Sequence, residues 1–165
     1  QFKGEVAKLD VGRDRTVLLK PLTYMNLSGE SVQGAMAFFK LQQDQIVVVH
    51  DDMDLELGRI KMKQGGGHGG HNGIRDIAQR IGADFYRVRL GVGRPRAEGS
   101  ASKHVLGGFS AEEQPVLEKL ISDAADAVTL LLSDGLTAAQ LKFHTSDKPK
   151  KKGKDNAPAG EDSGA

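Results

Sequence analysis

The period of the apolar positions changes several times along the chain, and each change marks an element. Thr16-Val-Leu-Leu-Lys20 is a short apolar run of the kind that forms a buried strand, and Pro21 with the polar turn through Asn26 stops it. Val32, Ala35, Met36 and Phe39 then recur at i, i+3, i+4 and i+7, which predicts a helix with one apolar stripe. Ile46-Val-Val-Val49 is a β-branched strand run that ends in the charged cluster His50-Asp51-Asp52. Strand, helix and strand at this spacing predict a right-handed βαβ crossover whose two strands form a largely parallel pair.

Farther along, the period drops to two. Ile60 and Met62 alternate with Arg59, Lys61 and Lys63, and Val88, Leu90 and Val92 alternate with Arg87 and Arg89. Both runs predict half-exposed strands with a basic outer face. Between them lies Gly65-Gly-Gly-His-Gly-Gly-His-Asn-Gly73, followed by a helical stripe at Ile74, Ile77, Ala78 and Ile81 with Gly82 as its stop. Ser110 and Glu113 form a capping box for a long helix carrying Leu117, Leu120, Ile121, Ala124, Val128, Leu131 and Leu132, which Asp134-Gly135 ends. Thr137 and Gln140 repeat the capping pattern for a short last helix. After His144 the composition turns to Lys, Pro, Gly and Asp, so residues 1–145 are expected to form one domain and residues 146–165 a disordered charged tail. There is no internal repeat.

A chain of 165 residues can bury a core without a disulfide or metal staple. It contains no cysteine, which removes thiolate zinc sites and a cysteine nucleophile and suits a reducing compartment. No apolar run reaches the roughly 18 residues of a membrane span, and the first residues lack a signal-peptide pattern, so the cytoplasm is the expected location. The net charge of +1 hides a segregation. Residues 57–104 hold ten Lys/Arg against three acids, whereas residues 105–145 hold two Lys against six acids. One basic face suits a phosphate-bearing partner, although an ordinary solvated surface has the same composition. Aromatic residues are 5% of the chain, so a bound nucleic acid is expected to be held by its backbone and not by base stacking.

Six glycines among residues 65–73 cost backbone entropy and pack nothing, which a site needing close backbone approach would explain. The run is not a phosphate-binding P-loop, because no Gly-Lys-Ser/Thr follows it. Asn72 stands where the helix begins; it suits a donor site for an oxygen-rich group and equally a plain N-cap. His68 and His71 lie three apart with acids nearby, but a glycine loop is a poor scaffold for a metal, and no orienting partner for either ring is legible. His50-Asp51-Asp52 closes an apolar strand, where open α/β sheets collect functional groups. A carboxylate there can orient an imidazole, or Asp52 or Asp54 can cap a turn while Asp51 faces water.

Four segments together resemble the bacterial-type peptidyl-tRNA hydrolase family: Pro21-Leu-Thr-Tyr-Met-Asn-Leu-Ser-Gly29, His50-Asp-Asp-Met-Asp-Leu55, Lys63-Gln-Gly-Gly-Gly-His-Gly-Gly-His-Asn-Gly-Ile-Arg-Asp76 and Arg87-Val-Arg-Leu-Gly-Val-Gly93. The resemblance runs from about the first residue to His144. It implies a single α/β domain with a twisted mixed sheet flanked by helices, acting as a monomer on peptidyl-tRNA without metal or organic cofactor. Carried over by position, Asp51 and Asn72 are catalytic, with Asp51 orienting a histidine base. Asn26 and Asn72 hold the peptidyl-adenosine end and the attacking water, Tyr24 binds substrate beside them, His71 lies next to the site in a substrate-binding or equally a structural role, and Lys63 and Arg89 grip tRNA phosphate. The family's base is a histidine in an Arg-His-Asn motif, placed upstream of Gln1 together with a first strand and helix. None of the five histidines matches it, so the chain by itself is expected to be inactive. The other expectation is a non-catalytic RNA-binding relative of the same fold, similar to chloroplast factors that assist group II intron splicing. Asn26, Asp51 and Asn72 together favour the enzyme.

Overall fold

A computed structural model describes residues 1–94 and 108–144, and the expected tail at residues 146–165 lies outside them. The first two strands, β1 (Gly4–Val11) and β2 (Asp14–Pro21), form an antiparallel hairpin with Val11 opposite Asp14. Gly12 takes φ +62° in the two-residue connection, the conformation that tight hairpin turns demand. The chain then passes a 3-10 turn at Met25–Leu27 into α1 (Ser28–Phe38).

β3 (Val47–Asp52), β4 (Ile60–Gln64) and β5 (Tyr86–Gly91) make a second sheet in the order β3-β5-β4. β5 is parallel to β3 and antiparallel to β4, so this sheet is mixed, as expected. The expected pairing of the strand at residues 16–20 with that at 46–49 is not made. β2 pairs with β1, and the parallel partner of β3 is β5, reached through β4 and α2 (Asn72–Ile81). The strand at 16–20 is also not buried, since Leu18 is 51% exposed.

Helices cover both faces of the mixed sheet. On one face Ile60, Met62 and Val88 meet Leu120, Ala124, Ala127 and Leu131 of α3 (Gln114–Asp134) and Ala139 of α4 (Leu136–His144). On the other, Val48 and Phe85 pack with Val32 of α1 and Ile74, Ile77 and Ile81 of α2. Each fully buried Val, Leu, Ile, Met or Phe side chain among these contributes about 1.5–3 kcal/mol by leaving water. The capping box before α3 is reciprocal, with the Glu113 amide donating to Ser110 Oγ at 3.3 Å and the Ser110 amide to Glu113 Oε1 at 3.0 Å. The second capping pattern fails. α4 begins at Leu136, ahead of Thr137, and Gln140 Nε2 instead donates to the Met62 carbonyl at 3.0 Å. The Met62 amide donates in turn to His144 Nε2 at 2.8 Å. These two side chains satisfy the outer edge of β4, a strand edge that would otherwise offer itself for pairing.

Candidate active site

Two of the motif segments meet where α1 rests on α2. The Gly29 amide donates to Asp76 Oδ2 at 2.8 Å, and Arg80 Nε donates to the same oxygen at 3.1 Å. An added Cβ on Gly29 would stand 2.6 Å from the Asp76 carbonyl oxygen, so only glycine lets the helices approach this closely. The seating brings the Met25–Leu27 turn against the start of α2, where Met25 Sδ would lie 2.7 Å from a Cβ on Gly73. Asn26 therefore sits beside the helix that begins at Asn72, and both side chains are exposed. Tyr24, 82% exposed, stands at the outer end of the same turn. Gly29→Ala should destabilise the fold by about 1–3 kcal/mol through overpacking. Gly34→Ala in the same helix should be neutral or stabilising, because its Cβ would meet only Phe2 at ordinary contact distance. Thermal melts of the two variants check this, and equal melting temperatures would remove Gly29 from the helix contact.

Asp51, the last residue but one of β3, turns its carboxylate to His71 at the end of the glycine loop. Its Oδ1 accepts from His71 Nε2 at 2.9 Å, and His71 Nδ1 accepts the Ile74 amide at 3.2 Å. An Nδ1 that accepts and an Nε2 that donates are the roles those partners select. His71, and not Asn72, is thus the N-cap of α2. That bond from His71 holds the Asp51 carboxyl below the ordinary carboxylate range, against the opposing effect of burial. Of the two sequence alternatives for the acid cluster, each describes one residue. Asp52 Oδ1 caps a turn by accepting the Asp54 amide at 2.8 Å, while Asp51 carries the imidazole contact.

His50 lies behind this pair, its ring edge-on to His71 at 5.1 Å between centroids. Its Nδ1 donates to the Asp51 carbonyl at 2.8 Å and its Nε2 accepts from Arg87 Nε at 3.2 Å. Burial, foremost, pushes its pKa down to about 4, so it is neutral at pH 7. The Arg87 Nη1 donates to the Gly67 carbonyl at 2.6 Å. Arg87 was expected on a basic outer face and is instead buried, because the glycine loop folds over it. Arg89 Nε donates to Asp52 Oδ2 at 2.8 Å. Lys63 stands opposite Arg87 across β4 and β5, and Lys61 opposite Arg89. Burial, then the charges of Arg87 and Arg89, lower the Lys63 pKa.

The described histidines divide clearly. His50 and His71 have both ring nitrogens engaged, and His144 accepts at the far side of β4. His68 lies on the exposed loop, where its Nδ1 accepts the Gly70 amide at 2.9 Å. His71 does have an orienting partner, Asp51, which the sequence did not reveal. Among the described residues no three His, Cys, Asp or Glu side chains are placed to hold a metal ion, and no helix is long and apolar enough to cross a membrane. Period and spacing missed Arg87 as part of the site and marked His50 only as a member of the strand-end cluster His50-Asp51-Asp52. The sequence signal for them was slight: a histidine and an arginine in strand positions facing a glycine-rich loop.

A family model described as peptidyl-tRNA hydrolase matches residues 1–152. The peptidyl-tRNA hydrolase of Leifsonia xyli subsp. xyli is 50% identical over 136 residues, spanning 82% of this chain and 70% of the relative. That of Renibacterium salmoninarum is 51% identical over 139 residues, spanning 83% of this chain and 72% of the relative. The crystal structure of peptidyl-tRNA hydrolase from Acinetobacter baumannii is similar with a TM-score of 0.81 at 38% identity, covering 87% of this chain and 74% of that one.

Proposed function

We propose that this chain, which belongs to the peptidyl-tRNA hydrolase family, hydrolyses the ester between a peptide and its tRNA where β3, the glycine loop and the start of α2 meet. The observation that carries the assignment to this place is the Asp51–His71 hydrogen bond, which brings an ionised carboxylate to the foot of the helix bearing Asn72. Asn72 and Asn26 each offer a donor and an acceptor, which suits a carbonyl and a water held together. The N-terminus of α2 adds the positive end of its dipole. Asp51 orients the proton-accepting imidazole and stabilises it once protonated. That imidazole is not His50 or His71, each of which has both ring nitrogens occupied. His71 positions Asp51 and starts α2. Tyr24 borders the peptide end. The protein works as a monomer in the cytoplasm in this reading, and the route calls on water and a base alone. The intron-splicing alternative has no observation in its favour.

Incubating the native protein with a peptidyl-tRNA and following deacylated tRNA tests the reading directly; cleavage at the uncatalysed rate would sink it. Lys63 and Arg89 are read as phosphate contacts, since both lie on the basic strand pair β4–β5, Lys63 against the glycine loop and Arg89 opposite Lys61. Replacing either with alanine should weaken binding of all tRNAs alike and reduce the salt slope of log K by about 0.7–0.9. Slopes unchanged in both variants would move the phosphate site elsewhere.

A further inference from the structure

Arg87 is 3% exposed, more buried than any other charged residue among those described. Its acceptors are a neutral ring nitrogen and a peptide carbonyl, and among the described residues no carboxylate pairs with it. The Asp52 carboxylate, bonded to Arg89, favours its charge only from a distance, and a desolvated guanidinium bonded to neutral groups is a costly placement, so its geometry calls for an explanation beyond packing. The loop above it supplies one. Gly65, Gly66, Gly69 and Gly70 all have positive φ, and a glycine run of this kind has many alternative conformations close in energy. Its described ties to the sheet include the Gly65 amide on the Phe85 carbonyl at 3.0 Å and the Gly67 carbonyl on Arg87.

We propose that Arg87 is a positioning residue for the hydrolytic site: its fork ties the Gly67 carbonyl to the His50 ring, and through that ring to the main chain of Asp51. Four residues after Gly67 comes His71, which bonds the Asp51 carboxylate and starts the helix of Asn72. One guanidinium thereby fixes both halves of the site, the end of β3 and the approach to α2. The two N–H directions of a planar fork make this possible. A lysine ammonium keeps the charge but is a single point on a flexible stem, and it cannot hold both acceptors in place. His50 transmits the contact only as the tautomer with Nδ1 protonated and Nε2 bare, the one its partners select.

This inference rests on the hydrolase reading for its kinetic half alone, so the test has two independent halves. In the 15N-labelled native protein at neutral pH, the His50 ring should show a protonated Nδ1 and a bare Nε2, with slow amide exchange near Gly67. Arg87→Lys should lower kcat for peptidyl-tRNA cleavage by about 10–100-fold, the scale of a small misplacement of reacting groups, while KM changes by less than about threefold. His50→Phe, which cuts the relay at its middle, should reproduce the kcat loss, and the double variant should be no slower than the worse single one. A native His50 ring protonated at Nε2, wild-type kcat in Arg87→Lys, or single losses that multiply in the double variant would each overturn the proposal. If Arg87→Lys does not fold, His50→Phe and the native ring state decide. A native protein that leaves peptidyl-tRNA intact would count against the hydrolase reading, and the ring tautomer with the loop exchange would still judge the clamp.

Discussion

Asp51→Asn in the native protein is expected to lower kcat for peptidyl-tRNA cleavage by about 10²–10⁴-fold in a variant that stays folded. The substitution is nearly isosteric, and the amide oxygen can still accept from His71 Nε2, so the N-cap of α2 survives. What disappears is the negative charge. Asp51 is ionised at pH 7, because the His71 hydrogen bond lowers its pKa further than burial raises it. The sign of the linkage follows: the stability this lowered pKa confers is full above the unfolded value near 3.8 and is lost as pH falls through the folded one. Asp51 therefore does not titrate between pH 5 and 8, and an inflection there in the kcat/KM profile belongs to the base. A neighbouring carboxylate favours a protonated imidazole, so the inflection should move to lower pH in Asp51→Asn. Wild-type turnover with an unmoved profile would take Asp51 out of the site.

Much of the framework was legible because it depends on local periodicity. The two-residue alternation around Ile60 and Met62, and around Val88 and Leu90, put the right residues into the core between the sheet and α3. Gly82 and Gly135 ended their helices with φ of +87° and +90°, as glycine stops do. Partner choice was not legible. The strand at residues 16–20 carries no mark that distinguishes a hairpin with β1 from a crossover to β3. The polar first residues concealed β1, although Gly12 between two β-capable runs was a usable hairpin signal.

The site was legible in part, and the misses have physical causes. Alternation assigns a side chain to a face of a strand but says nothing of what later covers that face. Arg87 and Arg89 have the same periodicity, and only the return of the glycine loop makes one a buried clamp and the other a partly exposed cation paired with Asp52. The N-cap differs from expectation by one residue for a similar reason. Asparagine outranks histidine as a cap on intrinsic preference, yet Asp51 fixes the His71 tautomer that can accept the Ile74 amide. A long-range contact of 20 residues in sequence overrode a local preference. That one-residue shift leaves the Asn72 side chain outside the cap and available to a substrate.

Asn72→Ala should accordingly separate stability from activity. An exposed first-turn residue whose side chain takes no part in the cap can be truncated within roughly 0.5 kcal/mol, because His71 still holds the Ile74 amide. Loss of a donor aimed at the oxygen that gains charge in ester hydrolysis typically slows turnover by about 10²–10³-fold. Asn72→Asp sharpens the distinction. It keeps the shape and the acceptor oxygen, exchanges the amide donor for a second acceptor, and places a negative charge at the positive end of the α2 dipole, which favours the fold by about 0.3–1 kcal/mol. The expected outcome is a melting temperature equal to or above that of the native protein, together with a cleavage rate as low as that of the alanine variant. Circular dichroism melts and single-turnover cleavage of peptidyl-tRNA measure the two quantities on the same preparations. An aspartate variant at wild-type speed would show that the Asn72 donor does no chemistry, and parallel losses of stability and rate in Asn72→Ala would return the residue to a capping role.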